Sequence, residues 1–136
     1  EAFGKFKGCP FWSIKAYNFY VSQKSKSTAL VAKNLRHEHT FPQILLIKKM
    51  WNLKNPTKKI IRDLYDKYAI ATVVTKEENL KLNSSAVGLR SETISDNNIW
   101  LRYNNEKIVI KLMQNPLKNI FYNYHIKKMK EAKVIQ

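Results

Sequence analysis

Three neighbouring residues, His37-Glu38-His39, have the side chains and spacing that could hold a metal or move protons. On a strand, two imidazoles at i and i+2 point the same way, but a structural zinc site needs four ligands. The other candidates, Cys9 and His125, are distant in sequence, so no metal is expected and the triplet reads as a polar turn. With a lysine, either histidine could act as a general base on RNA, yet nothing in the spacing favours this. Asp63 and Asp66 share a helical stretch with Lys59, Arg62 and Lys67, and ion pairs explain them. Glu77-Glu78 has no partner acid in view, and the chain holds no glycine-rich phosphate loop and no nucleophile elbow. The expectation is therefore a non-enzymatic protein with no cofactor and no small-molecule substrate.

What the chain does offer in quantity is positive charge. Its 136 residues hold 25 Lys and Arg against 10 Asp and Glu, a formal charge of +15. Such an excess strains a compact fold by self-repulsion, and it points to a polyanionic partner. Residues 1–37 carry seven basic residues and one acid, residues 38–106 eleven and eight, residues 107–136 seven and one. A near-balanced centre with basic ends fits a domain whose termini run along phosphates, and structured RNA is the first expectation. At 44% hydrophobic residues the centre can bury a core. The single cysteine excludes an internal disulfide, and no run reaches the length of a membrane span. Lysine outnumbers arginine 21 to 4, with 13 each of Asn and Ile, a bias that suits an AT-rich genome such as those of many organelles and some unicellular eukaryotes.

The elements that must position these charges follow from local pattern. Residues 1–16 mix Phe3, Phe6, Phe11 and Trp12 with Lys5, Lys7 and Lys15, broken by Gly4, Gly8 and Pro10, and read as an extended basic–aromatic arm. Its rings either stack on bases or fold back onto the core. Residues 17–22 alternate like a short strand, and Ser25, Ser27 and Thr28 offer caps for a helix through Leu35. The dense apolar run 41–51 (FPQILLIKKMW) has strand length. Asn55-Pro56 reads as a helix start, with Ile60, Ile61, Leu64, Tyr65 and Tyr68 at helical spacing and the intervening cations on a solvated face. Residues 69–75 are β-prone, 76–98 read as a long loop, and 99–103 with 107–112 as a hairpin around Asn104-Asn105-Glu106. Pro116 opens a terminal helix with Lys127, Lys128, Lys130 and Lys133 near its end, where cations also suit the helix dipole. The expected class is α+β, a small antiparallel or mixed sheet with helices packed on one face. Its parts are an N-terminal arm (1–16), one domain (17–113) with the loop 76–98, and a basic C-terminal helix (114–136).

In this order of elements, Val21-Ser22-Gln23-Lys24-Ser25 heads a helix before the apolar strand expected around Ile44–Ile47, and Leu64-Tyr65-Asp66 ends a basic helix before the strand Ile70–Thr75. The pattern resembles universal large-subunit ribosomal protein number twenty-three, which sits beside the peptide exit tunnel. It departs from that family in the acids of its loop (Glu77, Glu78, Glu92, Asp96) and in the extra terminal helix. The resemblance implies a structural constituent of the large subunit, in mitochondria or alternatively the cytoplasm, bound to ribosomal RNA and neighbouring ribosomal proteins. It implies phosphate contacts from Lys5, Lys7, Lys15 and Lys24, with Phe6 and Trp12 stacking on bases. Lys76, Lys81 and Arg90 would anchor the loop, and Lys127, Lys128 and Lys130 the tail. The alternatives are a DNA-binding protein, which gains if 41–51 is helical, and a non-catalytic scaffold subunit of an organellar membrane complex using its basic ends on anionic lipid.

Overall fold

A computed structural model describes Phe6 and residues 8–23, 28–84, 97–113 and 120–135. The elements run β1 (Phe11–Ser13), α1 (Ile14–Ser22), α2 (Thr28–Asn34), β2 (Leu35–His39), α3 (Gln43–Trp51), α4 (Lys58–Tyr68), β3 (Ala71–Thr75), α5 (Lys76–Leu82), α6 (Leu101–Asn105), β4 (Ile110–Leu112) and α7 (Ile120–Glu131). The fold is α+β around a small, open, mixed sheet in the order β2-β3-β1-β4. β1 runs parallel to β3 with Trp12 beside Val73, and antiparallel to β4 with Trp12 beside Lys111. β2 pairs antiparallel with β3 from Leu35–Thr75 to His39–Ala71.

Helices cover both faces of this sheet rather than one. Successive strand residues point to opposite sides, so Phe11 and Val74 enter one core cluster while Trp12 and Val73 enter another. The first cluster takes Phe41 and Leu46 at α3, Tyr68 of α4, Leu82 of α5, Trp100 and Tyr103 at α6, and Met129 of α7. The second takes Phe6, Ala16 of α1 and Val31 of α2.

Two helix starts are tied to each other. The parallel strands β1 and β3 each run straight into a helix, capped by Ser13 and Thr75. Ser13 Oγ accepts from Ala16 N at 3.0 Å and Thr75 Oγ1 accepts from Glu78 N at 3.2 Å. The buried Glu78 carboxylate oxygen Oε2 accepts from both Thr75 N (2.9 Å) and Ser13 Oγ (2.5 Å). A capping box that ordinarily serves one helix here joins α5 to the start of α1.

Several local expectations give way. Residues 17–22 are helical, because Ser13 caps them and Ala16, Tyr17 and Tyr20 supply a helical inner side that so short a window hides. Residues 43–51 are helical too. Leu45, Leu46 and Met50 face the core, while Ile44, Ile47 and Trp51 lie outside, so apolar residues all round imitated a strand. Thr57, not Asn55, caps α4, accepting from Ile60 N at 3.2 Å, and Asn55 takes a left-handed turn conformation (φ 57°) instead. The expected hairpin is absent: its first half is the short helix α6, and only Ile110–Leu112 of its second half is a strand. The loop 76–98 begins with α5, and its residues 85–96 lie outside the described residues. Among the described residues no helix is long and apolar enough to cross a membrane.

Candidate nucleic-acid interface and a buried polar cleft

Of the residues expected to contact RNA, the structure describes Phe6, Trp12, Lys15, Lys76, Lys81, Lys127, Lys128 and Lys130. Lys5, Lys7, Lys24 and Arg90 lie outside the described residues. Phe6 and Trp12 are core residues, 1% and 4% exposed, packed edge to face at 6.2 Å. Trp12 also donates from Nε1 to the Cys9 carbonyl at 2.9 Å. The segment read as an arm thus holds the inner strand β1, and the rings of Phe6, Phe11 and Trp12 are spent on packing, not on stacking with bases. Lys15, Lys76 and Lys81 are exposed on α1 and α5, but Lys81 pairs with Glu77 at 3.1 Å. Lys81 and, more weakly, Lys15 hold the Glu77 carboxyl below its ordinary range. On α7, Lys127 and Lys130 are exposed, while Lys128 pairs with Glu131 at 2.9 Å.

A stronger concentration lies where the pattern suggested a mere solvated face. From α3 to the end of α4 the chain carries seven Lys and Arg against two Asp. Lys48, Lys54, Lys58, Lys59 and Arg62 are exposed. Among the described residues, Lys59 is the one of these held by an acid, reaching Asp63 at 2.7 Å. Lys49 and Lys67 lie over the Tyr68 ring at 5.2 and 5.1 Å, a cation–π clamp between the two helices. Among these cations stand Ile44 (59% exposed), Ile47 (55%) and Trp51 (88%). An indole that exposed is uncommon for so large an apolar group. The signal was present in the sequence as KKMW and NLKNPTKK, but only the helical register shows which apolar residues face outward.

α4 packs against α7 through a buried imidazole. His125 Nδ1 accepts from Trp100 Nε1 at 3.2 Å, and its Nε2 lies 3.1 Å from the Asp66 carbonyl, which can only accept. This fixes the neutral tautomer with the proton on Nε2. Burial holds the His125 pKa below its ordinary 6.5. The unfolded chain therefore takes up a proton before the folded one, so the stabilisation is complete above pH 6.5 and is lost as pH falls through the lower folded value. Urea midpoints measured from pH 7.5 down to 5 should fall. In His125→Gln, which can keep both hydrogen bonds without titrating, most of that fall should vanish; an unchanged slope would acquit His125.

On the same side of the sheet, β2 and α6 enclose a polar group that sequence reasoning missed. His37-Glu38-His39 is the outer half of edge strand β2 and not a turn. Glu38 points inward, with Oε1 3.1 Å from Arg102 Nη1 while Oε2 accepts from the Tyr103 hydroxyl. Burial raises the Glu38 pKa, opposed by the Arg102 charge and the Tyr103 hydrogen bond. Arg102 Nη1 also donates to the His39 and Thr40 carbonyls, each at 3.2 Å, and Nη2 to the Leu82 carbonyl at 2.8 Å. Beside this pair, a cleft of about 240 Å³ is lined by His37, Glu38, His39, Pro42, Gln43, Asn79, Asn83 and Arg102.

Among the described residues no group of three His, Cys, Asp or Glu is placed to hold a metal ion. Cys9 is not activated either. Its Sγ donates to the Ala71 carbonyl at 3.2 Å, and burial pushes the thiol pKa up. Comparison with protein families, with curated proteins and with solved structures finds no match.

Proposed function

We propose that this chain binds nucleic acid that carries unpaired bases, structured RNA in the first place, through the α3–α4 surface. The observation that carries the reading is Trp51, 88% exposed at the end of α3 among Lys48, Lys54 and Lys58. Lysines neutralise phosphates whatever the sequence, while an indole face stacks on a base that is free of its neighbours. Duplex DNA presents no such base. α3 and α4 are also joined by six residues, Asn52–Thr57, where a DNA-reading helix-turn-helix has a turn of about three or four. The helical 43–51 therefore strengthens a helix-borne interface without making it that motif. An RNA-bound subunit of a ribosome is one setting in which such a surface would serve, although Ile44–Ile47, part of that resemblance, belongs to a helix.

The test compares an RNA stem-loop with duplex DNA of equal length across a salt series. The stem-loop should bind more tightly, with affinity falling steeply as salt rises. Trp51→Ala should cost about 1–3 kcal/mol of RNA affinity and leave the salt slope unchanged. Lys58→Gln with Arg62→Gln should flatten that slope by roughly two units. Equal binding of both nucleic acids, or a Trp51→Ala protein that binds normally, would overturn the reading.

A further inference from the structure

We infer that the paired imidazoles of His37 and His39 are a labile binding site for a divalent transition metal ion such as zinc. The two residues stand at i and i+2 on edge strand β2, so their side chains leave the strand on the same side. Both are exposed, while Glu38 between them is buried, its carboxylate held by Arg102 and by the Tyr103 hydroxyl. That inward anchor fixes the roll of the strand and turns both imidazoles outward. Their ring centroids lie 6.5 Å apart, with the planes at 78°. Two imidazoles on one zinc ion, each nitrogen about 2.0–2.1 Å from the metal, bring their centroids to about 5 Å. Rotation of two exposed side chains closes that difference without moving the backbone. Each ring carries two nitrogens, so a ring engaged through one can ligate through the other, and the first bond then orients it.

The surroundings admit a cation. Both histidines line the cleft of about 240 Å³, together with Gln43, Asn79 and Asn83. In a chain of formal charge +15 this lining contains no lysine. Its one guanidinium, Arg102, is 2% exposed and offset by Glu38 at 3.1 Å, so little net charge opposes an incoming ion. The carboxamides are neutral and bring oxygens that can join the shell of a metal. Imidazole suits zinc, copper and nickel, whereas magnesium and calcium take oxygen ligands. Two protein ligands fall short of the four of a structural zinc site, and water fills the open positions. The ion is thus exchangeable, and the fold does not depend on it, since Arg102 and Glu38 hold β2 in its absence. The site makes no use of Trp51 or of the lysines around it, so it stands apart from the nucleic-acid reading.

The experiment follows the ring signals of the three histidines by NMR as zinc chloride is added to the labelled full chain. It is run at about pH 7.5, where an ordinary imidazole is neutral and able to ligate. The His37 and His39 signals should move together and saturate with one midpoint. His125, buried with its nitrogens engaged by Trp100 and the Asp66 carbonyl, should stay in place as an internal reference. Magnesium chloride at the same concentration should move neither exposed ring. His37→Gln and His39→Gln, at exposed positions, should leave the amide spectrum unchanged away from β2. Each should weaken zinc binding at the remaining ring by at least about tenfold, because the second ligand is no longer delivered by the same strand. Separate midpoints, an equal response to magnesium, or a single variant that binds zinc as tightly as the parent would overturn the pair. So would zinc moving His37 with Cys9, which together line another cleft, while His39 stays in place.

Discussion

Arg102→Leu is expected to lower the free energy of unfolding by about 3–5 kcal/mol, the range for stripping one partner from a buried ion pair. The guanidinium meets Glu38 and also the carbonyls of His39, Thr40 and Leu82, tying the end of edge strand β2 to the end of α5. Removing it leaves a carboxylate in the core without a countercharge and three carbonyls without donors. Burial already raises the Glu38 pKa, and without the opposing Arg102 charge it should rise further. Urea unfolding of the single variant and of Glu38→Leu/Arg102→Leu separates charge from packing. The double variant should recover more than half of the loss, since two apolar groups leave no unpaired charge. A single variant that loses under about 1 kcal/mol would mean that the pair contributes little to holding β2 in place.

Trp100→Ala should cost a comparable amount, about 3–5 kcal/mol, for a different reason. The residue is fully buried and sits where β1, α6 and α7 meet. Its ring lies 5.1 Å from Phe11 on β1 and 5.6 Å from Tyr103 on α6, and its N–H reaches His125 on α7. Truncation opens a void at the junction of sheet and helices, and it leaves the His125 nitrogen without a donor. Trp100→Phe divides these contributions: it keeps most of the volume and loses the hydrogen bond, for about 1–2 kcal/mol. Near-UV circular dichroism with thermal unfolding reads both. A Trp100→Ala protein with an unaltered near-UV spectrum and a melting point within a degree or two of the parent would refute this account.

How much of this was legible in the sequence depends on how far the deciding partner lies. α4 could be read because Ile61, Leu64 and Tyr68 repeat with the helix and its cations fall between them. β3 could be read because Thr72, Val73 and Val74 are β-branched in succession. β1 could not. Phe11–Ser13 is three residues long beside glycine and proline, and its central place in the sheet is conferred by Val73 and Lys111. β2 was hidden for an electrostatic reason: Leu-Arg-His-Glu-His is no apolar strand, and Glu38 can turn inward only because Arg102 waits there. The charge excess was plain from composition, while the exposure of Trp51 depended on the outward side of a helix read as a strand. The ion pair at the cleft joins residues whose separate local contexts look unremarkable.

The position of β1 has a consequence for the order in which the chain can be completed. Its neighbours in the sheet are β3 and β4, so this strand must wait for two elements that follow it in the chain. Until residues near Val73 arrive, Phe11 and Trp12 have no ladder to join, and the far side stays open until Ile110–Leu112 appear. Closing such long loops costs chain entropy before any pairing repays it, so topology of this kind slows folding. The helices α3 and α4 have no such delay, since their mutual contacts are local. A growing chain would therefore hold its charged helical pair early and its apolar N-terminal strand unsheltered, which makes the interval before β4 emerges the period of greatest exposure to misassociation.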